Sequence, residues 1–296
     1  MRVLYAYDGS AGSEQARDLL AHLDLPDDSY IEAVTVLRPR SSLFELGSVP
    51  VDPAEADAQL VEDLAAELQT VVRALSGPGR RVESAVLRGH PGAAVRAEAE
   101  RINADLIVMG SRGHGVIRSA LLGSVSTEVS SQAHCSVLVA RAPSVSHVLL
   151  ASDGTATSEP AVEAVASWPI VRGMPVDVVS VSQPISSLVG VGAGGFGSAA
   201  WAELEIQLAD ERLATHREVA RVATERLRAA GVEAQARVAT GNPAQEILEL
   251  AREIGADLIV TGSRRSSTGF PGALGSVARN VIQHAGASVL VVRAPG

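Results

Sequence analysis

The sequence predicts an α/β protein made of two tandem domains, each built on a five-stranded parallel sheet. Three observations predict it. First, the chain repeats itself. VLYAYDGSAGSEQA at residue 3 returns as VLLASDGTATSEPA at residue 148, ADLIVMGSR at 104 as ADLIVTGSR at 256, and SVLVARAP at 136 as SVLVVRAP at 288. Second, short apolar runs alternate within each copy with longer stretches of helical periodicity, which is the signature of strand–crossover–strand units. Third, glycines, aspartates and hydroxyl residues gather just after the apolar runs, at the strand ends where such sheets hold ligands.

In the first copy Arg2–Asp8 reads as a strand, Ser13–Leu23 as a short helix and Tyr30–Leu37 as a second strand. Asp52-Pro53-Ala54-Glu55 then supplies an N-cap, a proline at the first helical position and a glutamate at the third. The helix that follows sets Leu60, Leu64, Leu68, Val71 and Leu75 on one face and stops at Gly77. Val82–Leu87 is a strand, Pro91–Ile102 a helix, Leu106–Met109 a buried strand, Ser124–Ala133 a helix and Val137–Ala140 the last strand. The second copy repeats the order. Its offset grows from 145 to 152 residues, and the seven extra residues are assigned to the glycine-rich stretch 183–200, read as a mobile loop. The turn Gly89-His90-Pro91, matched by Gly241-Asn242-Pro243, reads as structural. The break between domains, 1–143 and 146–296, falls in APSVSH.

Composition narrows the chemistry. Aromatic residues make up 3% of the 296 residues, so the core must be packed from Val, Leu, Ile and Ala. A formal charge of −9 argues against a nucleic-acid partner, which asks for a basic face. All 25 basic residues are arginines, so no P-loop lysine, Schiff base or lysine general base exists. Phosphate charge must be met by Arg, backbone N–H, His or metal. The single cysteine, Cys135, fits a reducing compartment, here the cytoplasm, and a buried position. No apolar run reaches the ~18 residues of a membrane helix. The seven histidines show no metal-ligand spacing, and GVGAGGFG (190–197) does not follow a first strand, so it is not read as a dinucleotide fingerprint.

The chemistry concentrates in GSRGHGVIRSALLGSVS, residues 110–126. A strand leads into Gly110, two residues separate it from Gly113, and nine more precede Gly123-Ser124, which opens a helix. Glycines let backbone N–H groups approach a ligand, and the first turn of a helix offers N–H groups and the positive end of its dipole. The same residues also serve a tight strand-to-helix connection. This G-x2-G-x9-G-[S/T] spacing, with the strand and turn at residues 3–16 and the closing strand at 136–141, resembles the ATP-binding signature of the universal stress protein family, over nearly the whole chain.

The resemblance implies a doubly wound, Rossmann-like sheet of strand order 3-2-1-4-5 in each half. It implies ATP and Mg²⁺ as ligands, and a first site of Ala6, Asp8, Val36, Gly110, Arg112, Gly113, Gly123, Ser124 and Val125. Asp8 would lie beside the nucleoside and its metal, and the Val36 backbone would pair with the adenine edge. The second site would comprise Ala151, Asp153 (again beside a metal), Val181, Gly262, Arg264, Arg265, Gly275, Ser276 and Val277. Arg265 stands where the middle glycine belongs. Its side chain obstructs the backbone's approach while adding positive charge, so an intact first site and an altered second one are expected. His114 and Arg118 either meet a terminal phosphate or are solvated. The resemblance further implies that the closing strands SVLVAR and SVLVVR pair at their edges, here within one chain as a pseudo-dimer, with homodimerisation beyond that. The function implied is an ATP-binding regulator in the stress response with slow hydrolysis at most. A nucleotide hydrolase or nucleotidyl transferase using Asp8, His114 or Arg118, and a nucleotide-free interaction module, are the alternatives.

Overall fold

The computed structural model describes residues 1–38, 53–113, 122–184, 199–263 and 274–294. The first half runs β1 (Arg2–Ala6), α1 (Ala11–His22), β2 (Ser29–Leu37), α2 (Pro53–Leu75), β3 (Arg80–Arg88), α3 (Pro91–Arg101), β4 (Leu106–Gly110), α4 (Ser124–Gln132) and β5 (Ser136–Ala140). The second runs β6 (Val148–Ala151), α5 (Glu159–Ser167), a 3-10 turn (Pro169–Val171), β7 (Val176–Ser182), α6 (Ala199–Ala229), β8 (Ala234–Thr240), α7 (Pro243–Glu253), β9 (Leu258–Gly262), α8 (Ser276–His284) and β10 (Ser288–Val292).

The strands form one sheet in the order β3-β2-β1-β4-β5-β10-β9-β6-β7-β8. Each half carries the order 3-2-1-4-5, and pairing is parallel everywhere except at the seam, where β5 meets β10 antiparallel with Leu138 opposite Leu290. Both seam strands are buried along their whole length, as the unbroken apolar runs SVLVA and SVLVV require of strands covered on both faces. Two open edges that would otherwise recruit another chain are thereby closed.

Helices cover both faces. On one, α1, α2, α5 and α6 bury Tyr5, Leu19, Leu20, Leu68, Val71, Leu75, Leu150 and Leu227. On the other, α3, α4, α7 and α8 bury Leu4, Val95, Ile107, Val129, Ile247, Ile259 and Val281. Among the described residues Tyr5 is the one large aromatic side chain withdrawn completely from solvent. Local sequence sets the helix starts. Ser10 caps α1 by accepting from the Ser13 N–H, and Asn242 caps α7 by accepting from Ala244 and Gln245. Gly89 and Gly241 precede the α3 and α7 caps at φ 132° and 155°, which gives both turns a backbone reason to carry glycine.

Two details depart from the sequence expectations. The extra length of the second half lies in a helix rather than a loop. The connections from β2 to α2 and from β7 to α6 are 15 and 16 residues long, whereas α2 has 23 residues and α6 has 31. The stretch AELEIQLADERL is rich in helix formers and carries no breaker, so the helix continues through it. In addition, α5 starts three residues later than α1 does, because Pro160 has no N–H and fits only the first turn. The Asp52 cap expected for α2 lies outside the described residues.

An arginine following each closing strand clasps the seam. The Arg141 backbone N–H donates to Ser288 Oγ (3.0 Å), and its guanidinium donates to the Ile282 carbonyl (2.5 Å) and the Ala287 carbonyl (3.4 Å). Arg293 does the same in reverse, to Ser136 Oγ (3.2 Å), the Ser130 carbonyl (2.6 Å) and the Cys135 carbonyl (3.2 Å). Each cation thus caps the carboxyl end of the other half's last helix. At the amino ends of the strands, Glu32 on β2 and Asp177 on β7 occupy matching places. Arg101 holds Glu32, while Arg237 and His147 hold Asp177.

Candidate functional site

Strand order reverses between β1 and β4, and between β6 and β9, which opens a crevice at the carboxyl ends of the strands in each half. In the first crevice β1 ends at Ala6 and the chain turns at Asp8-Gly9-Ser10, with Gly9 at φ 75°. Asp8 Oδ1 accepts from the Ser10 N–H (3.1 Å) and lies 2.5 Å from Ser10 Oγ. Ser10 Oγ also stands 3.1 Å from the Arg112 carbonyl and accepts from the Ser13 N–H (3.2 Å). One hydroxyl thereby ties the β1 turn, the β4 loop and the α1 start together. Sequence inspection noted it only as a hydroxyl after glycine.

Gly110 and Gly113 answer to different neighbours. A Cβ on Gly110 would stand 2.4 Å from the Gly12 carbonyl carbon and 2.7 Å from the Ser13 nitrogen, so the strand end and the first turn of α1 touch backbone to backbone. Packing alone demands glycine there. A Cβ on Gly113 would instead stand 2.2 Å from Asp8 Oδ2, at the crevice itself. Gly123 donates its N–H to the Ser111 carbonyl (2.8 Å) and opens α4 without a side-chain cap. Its Cβ would come no closer than 3.4 Å to any neighbour among the described residues. The first turn of α4, with Ser124 and Val125, therefore presents N–H groups that no capping side chain among the described residues satisfies. Arg112 is exposed between the first two glycines, and its charge reaches Arg141. Burial, and then Arg112, push the Arg141 guanidinium down to about 10. The exposed Arg112 cation beside these glycines favours an anion.

Val36 sits at the lip of the crevice. Ala6 pairs with Val34, and the Tyr7 N–H donates to the Val34 carbonyl (2.8 Å). Strand alternation turns the Val36 peptide groups toward the same edge two residues on, where β1 has already ended. Val181 repeats this arrangement beyond Val179, whose carbonyl accepts from the Ser152 N–H (3.0 Å).

The second crevice copies the first in outline. Asp153 Oδ1 accepts from the Thr155 N–H (3.1 Å) and Oγ1 (2.6 Å), with Gly154 at φ 71°. Ala151 is buried at the end of β6. A Cβ on Gly262 would stand 2.3 Å from the Thr157 carbonyl oxygen, again a packing constraint. Gly275 opens α8, with Ser276 and Val277, without a side-chain cap. His114 and Arg118 in the first loop, and Arg264 and Arg265 in the second, lie outside the described residues. No group of three or more His, Cys, Asp or Glu with metal-ligand geometry occurs among the described residues. Each crevice accordingly contributes one carboxylate of the expected set. That is enough for Mg²⁺, which takes one or two carboxylates and leaves its other positions to phosphate and water.

Sequence reasoning missed several polar groups here. The Tyr7 hydroxyl lies 2.8 Å from both Glu14 Oε1 and Glu67 Oε1, and burial followed by these carboxylates raises its pKa. In the second half His216 Nδ1 lies 2.8 Å from Ser180 Oγ. The seam arginines were legible in principle, since each repeat ends its last strand in Arg-Ala-Pro. Tyr7 and His216 gave no such signal, because neither recurs in the other copy. A cleft of about 770 Å³ lined by Cys135, Trp168 and Arg293 lies elsewhere, at the seam, and holds none of the expected site residues. No helix among the described residues is long and apolar enough to cross a membrane.

Comparison with known proteins agrees with this fold. The model of the universal stress protein family matches residues 1–141 and 145–293. A universal stress protein of Mycolicibacterium smegmatis is 29% identical over 303 residues, covering 98% of this chain and 96% of that protein. Universal stress protein Mb2019 of Mycobacterium bovis is 35% identical over 199 residues, 64% of this chain and 59% of that protein. The chain spans about half the length of several curated relatives, 42–59%. Among solved structures, a universal stress protein from Archaeoglobus fulgidus superposes with a TM-score of 0.66 at 22% identity, covering 99% of this chain and 96% of that one.

Proposed function

The chain belongs to the universal stress protein family, and from that premise we propose that it is a stress-response regulator whose first half binds ATP with Mg²⁺ in the crevice between β1 and β4. The observation that carries the reading is the convergence, in one crevice, of Asp8, the start of α4 without a capping side chain, and the Val36 peptide edge beyond the end of β1. Phosphates would lie along Gly113, Gly123 and Ser124, where N–H groups and Arg112 meet negative charge. Asp8 would hold the ribose or the metal. Mg²⁺ would neutralise phosphate charge. The Val36 N–H and carbonyl would read the adenine edge, giving base selectivity from a residue with no polar side chain. The second half, with Asp153, Val181, Gly275 and Ser276, would hold nucleotide less well, because Arg265 replaces the middle glycine. We take the protein as a binding module, with hydrolysis slow or absent, and the two halves as its domains.

The test is calorimetric titration of the full-length protein with ATP and Mg²⁺, together with a count of nucleotides released on denaturation. One tight ATP per chain, lost in Asp8→Ala, is expected. No heat and no released nucleotide would refute the reading. Two equal sites would refute the ranking of the halves.

A further inference from the structure

We propose that His216 is a ligand-contacting, specificity-determining residue of the second crevice, and that the second half takes up a proton when it binds the anionic part of a nucleotide. The inference rests on the nucleotide reading above.

The two halves match in register but not in hardware. Leu68, Val71 and Leu75 of α2 are buried as Ala220, Ala223 and Leu227 are in α6. The same register sets His216 against Leu64 and Val219 against Glu67, and the strand register sets Ser180 against Thr35 and Ser152 against Tyr7. Beneath Asp8, the first half packs the Tyr7 hydroxyl with the carboxylates of Glu14 and Glu67. Beneath Asp153 that acidic cluster is gone. Val219 packs on Gly154, whose added Cβ would stand 2.6 Å from a Val219 methyl, and Glu159 is turned to Arg226.

The second half has a half-buried imidazole there instead. His216 Nδ1 lies 2.8 Å from Oγ of Ser180, a fully buried β7 residue one position past Val179, whose carbonyl holds the Ser152 N–H. With Nδ1 engaged and no partner on Nε2 among the described residues, Nε2 is the nitrogen left to meet a ligand. Two charges bear on the ring. Asp153 at the β6 turn favours its protonation, and Arg212, one turn earlier on α6, opposes it. The charged groups of the packed elements are otherwise paired, Glu159 and Glu163 of α5 with Arg226, and Arg237 of β8 with Asp177. Burial, chiefly, holds the imidazole below its ordinary pKa and so disfavours its protonation. A nucleotide's phosphates arriving beside Asp153 bring more negative charge than one Mg²⁺ offsets, and that excess tips the ring to imidazolium. Leu64 gives the first half no such response. Affinity at the second half therefore rises as pH falls toward the ordinary imidazole value, about tenfold for each unit by which bound nucleotide raises the His216 pKa.

The test is an NMR pH titration of the histidine ring signals of the full-length protein, with and without saturating ATP and Mg²⁺. The His216 signal is assigned through His216→Leu, a change to the residue that the first half carries at that place. The expected result is an upward move of the His216 titration with ATP, and loss of the pH dependence of the weaker binding phase in the variant. ATP binding at the second half with the His216 signal unmoved overturns this inference alone. No ATP heat in either half overturns the nucleotide reading and this inference with it. Should His216→Leu not fold, the wild-type titration decides, read as whether any one of the seven histidine signals moves in step with the weaker phase.

Discussion

Replacing Gly110 by alanine places a methyl carbon 2.4 Å from the Gly12 carbonyl carbon, 2.5 Å from its oxygen and 2.7 Å from the Ser13 nitrogen. All three are backbone atoms of the α1 start. That turn is pinned by the Ser10 cap and by the Tyr5 hydroxyl, which donates to the Ser13 carbonyl at 2.6 Å. Relief to an ordinary 3.4 Å contact needs a displacement of about 1 Å between β4 and α1. Overpacking costs about 1–3 kcal/mol, and rigid neighbours put this site near the top, about 3 kcal/mol. At about 2–4 °C per kcal/mol, Tm should fall by about 6–12 °C. Gly123→Ala is the control. Its methyl would come no nearer than 3.4 Å to the Ser111 carbonyl, and φ is −74°, which any residue adopts. As an N-cap change from glycine to alanine its cost should be about 1 kcal/mol, well below that of Gly110→Ala. Gly113→Ala should disturb mainly the Asp8 carboxylate, the sole neighbour its methyl meets among the described residues. Circular-dichroism melts and urea midpoints without nucleotide, followed by ATP titration of each folded variant, read the series. A Gly110→Ala protein melting with wild type, or a Gly123→Ala protein melting as low as Gly110→Ala, would refute the packing argument. Loss of ATP heat in a fully folded Gly123→Ala protein would mark that glycine as a ligand contact.

The seam, the paired carboxylates and the buried thiol give three further tests. Arg141→Met and Arg293→Met each strand two backbone carbonyls at a helix end, so each should lower the urea midpoint by the equivalent of about 1–3 kcal/mol, nearly additively in the double variant; unchanged midpoints would show that the clasp carries no stability. Glu32 and Asp177 should respond oppositely to removal of charge. Burial, and then Glu98, raise the Glu32 carboxyl, so ionised Glu32 weakens the fold as pH rises past the ordinary carboxylate range, and Glu32→Gln should be neutral or stabilising at pH 7. For Asp177 burial alone would raise the carboxyl, but bonds from Arg237 (2.6 Å) and His147 (2.7 Å) outweigh it and hold it low. Its stabilisation is therefore present above the unfolded value of about 4 and lost as pH falls through the lower folded value, so Asp177→Asn should destabilise at pH 7 and flatten the acid limb of the urea midpoint–pH curve; an unaltered curve would refute the assignment. Burial pushes the Cys135 thiol up to about 12, so the native protein should resist alkylation at pH 8 and label only as it unfolds, and rapid labelling of the folded chain would contradict the burial.

The repeat explains why the fold was legible and much of the site was not. Residues that recur in both copies report on constraints that both copies share. SVLVA and SVLVV are apolar without alternation, which a strand covered on both faces requires, and the structure buries both completely. Gly110 and Gly262 recur because a strand end touches a helix start in each half. The sequence marked them as special but not why, since the partners Gly12 and Thr157 lie about a hundred residues away and only folding brings them together. Helix α6 was misjudged for a local reason, because the glycines of residues 183–198 drew the extra length into the loop while the helix formers beyond them carried it. Residues that differ between the copies are a separate class. Tyr7 against Ser152, Glu67 against Val219, Leu64 against His216 and Gly113 against Arg265 are changes that one shared fold tolerates. The first three pairs lie at or beside the carboxyl ends of the strands, and the fourth belongs to the glycine loops of the motif. These differences gather around the two crevices, as the proposed ligand environments of unequal charge require, and the His216 titration is the measurement that reads that inequality directly.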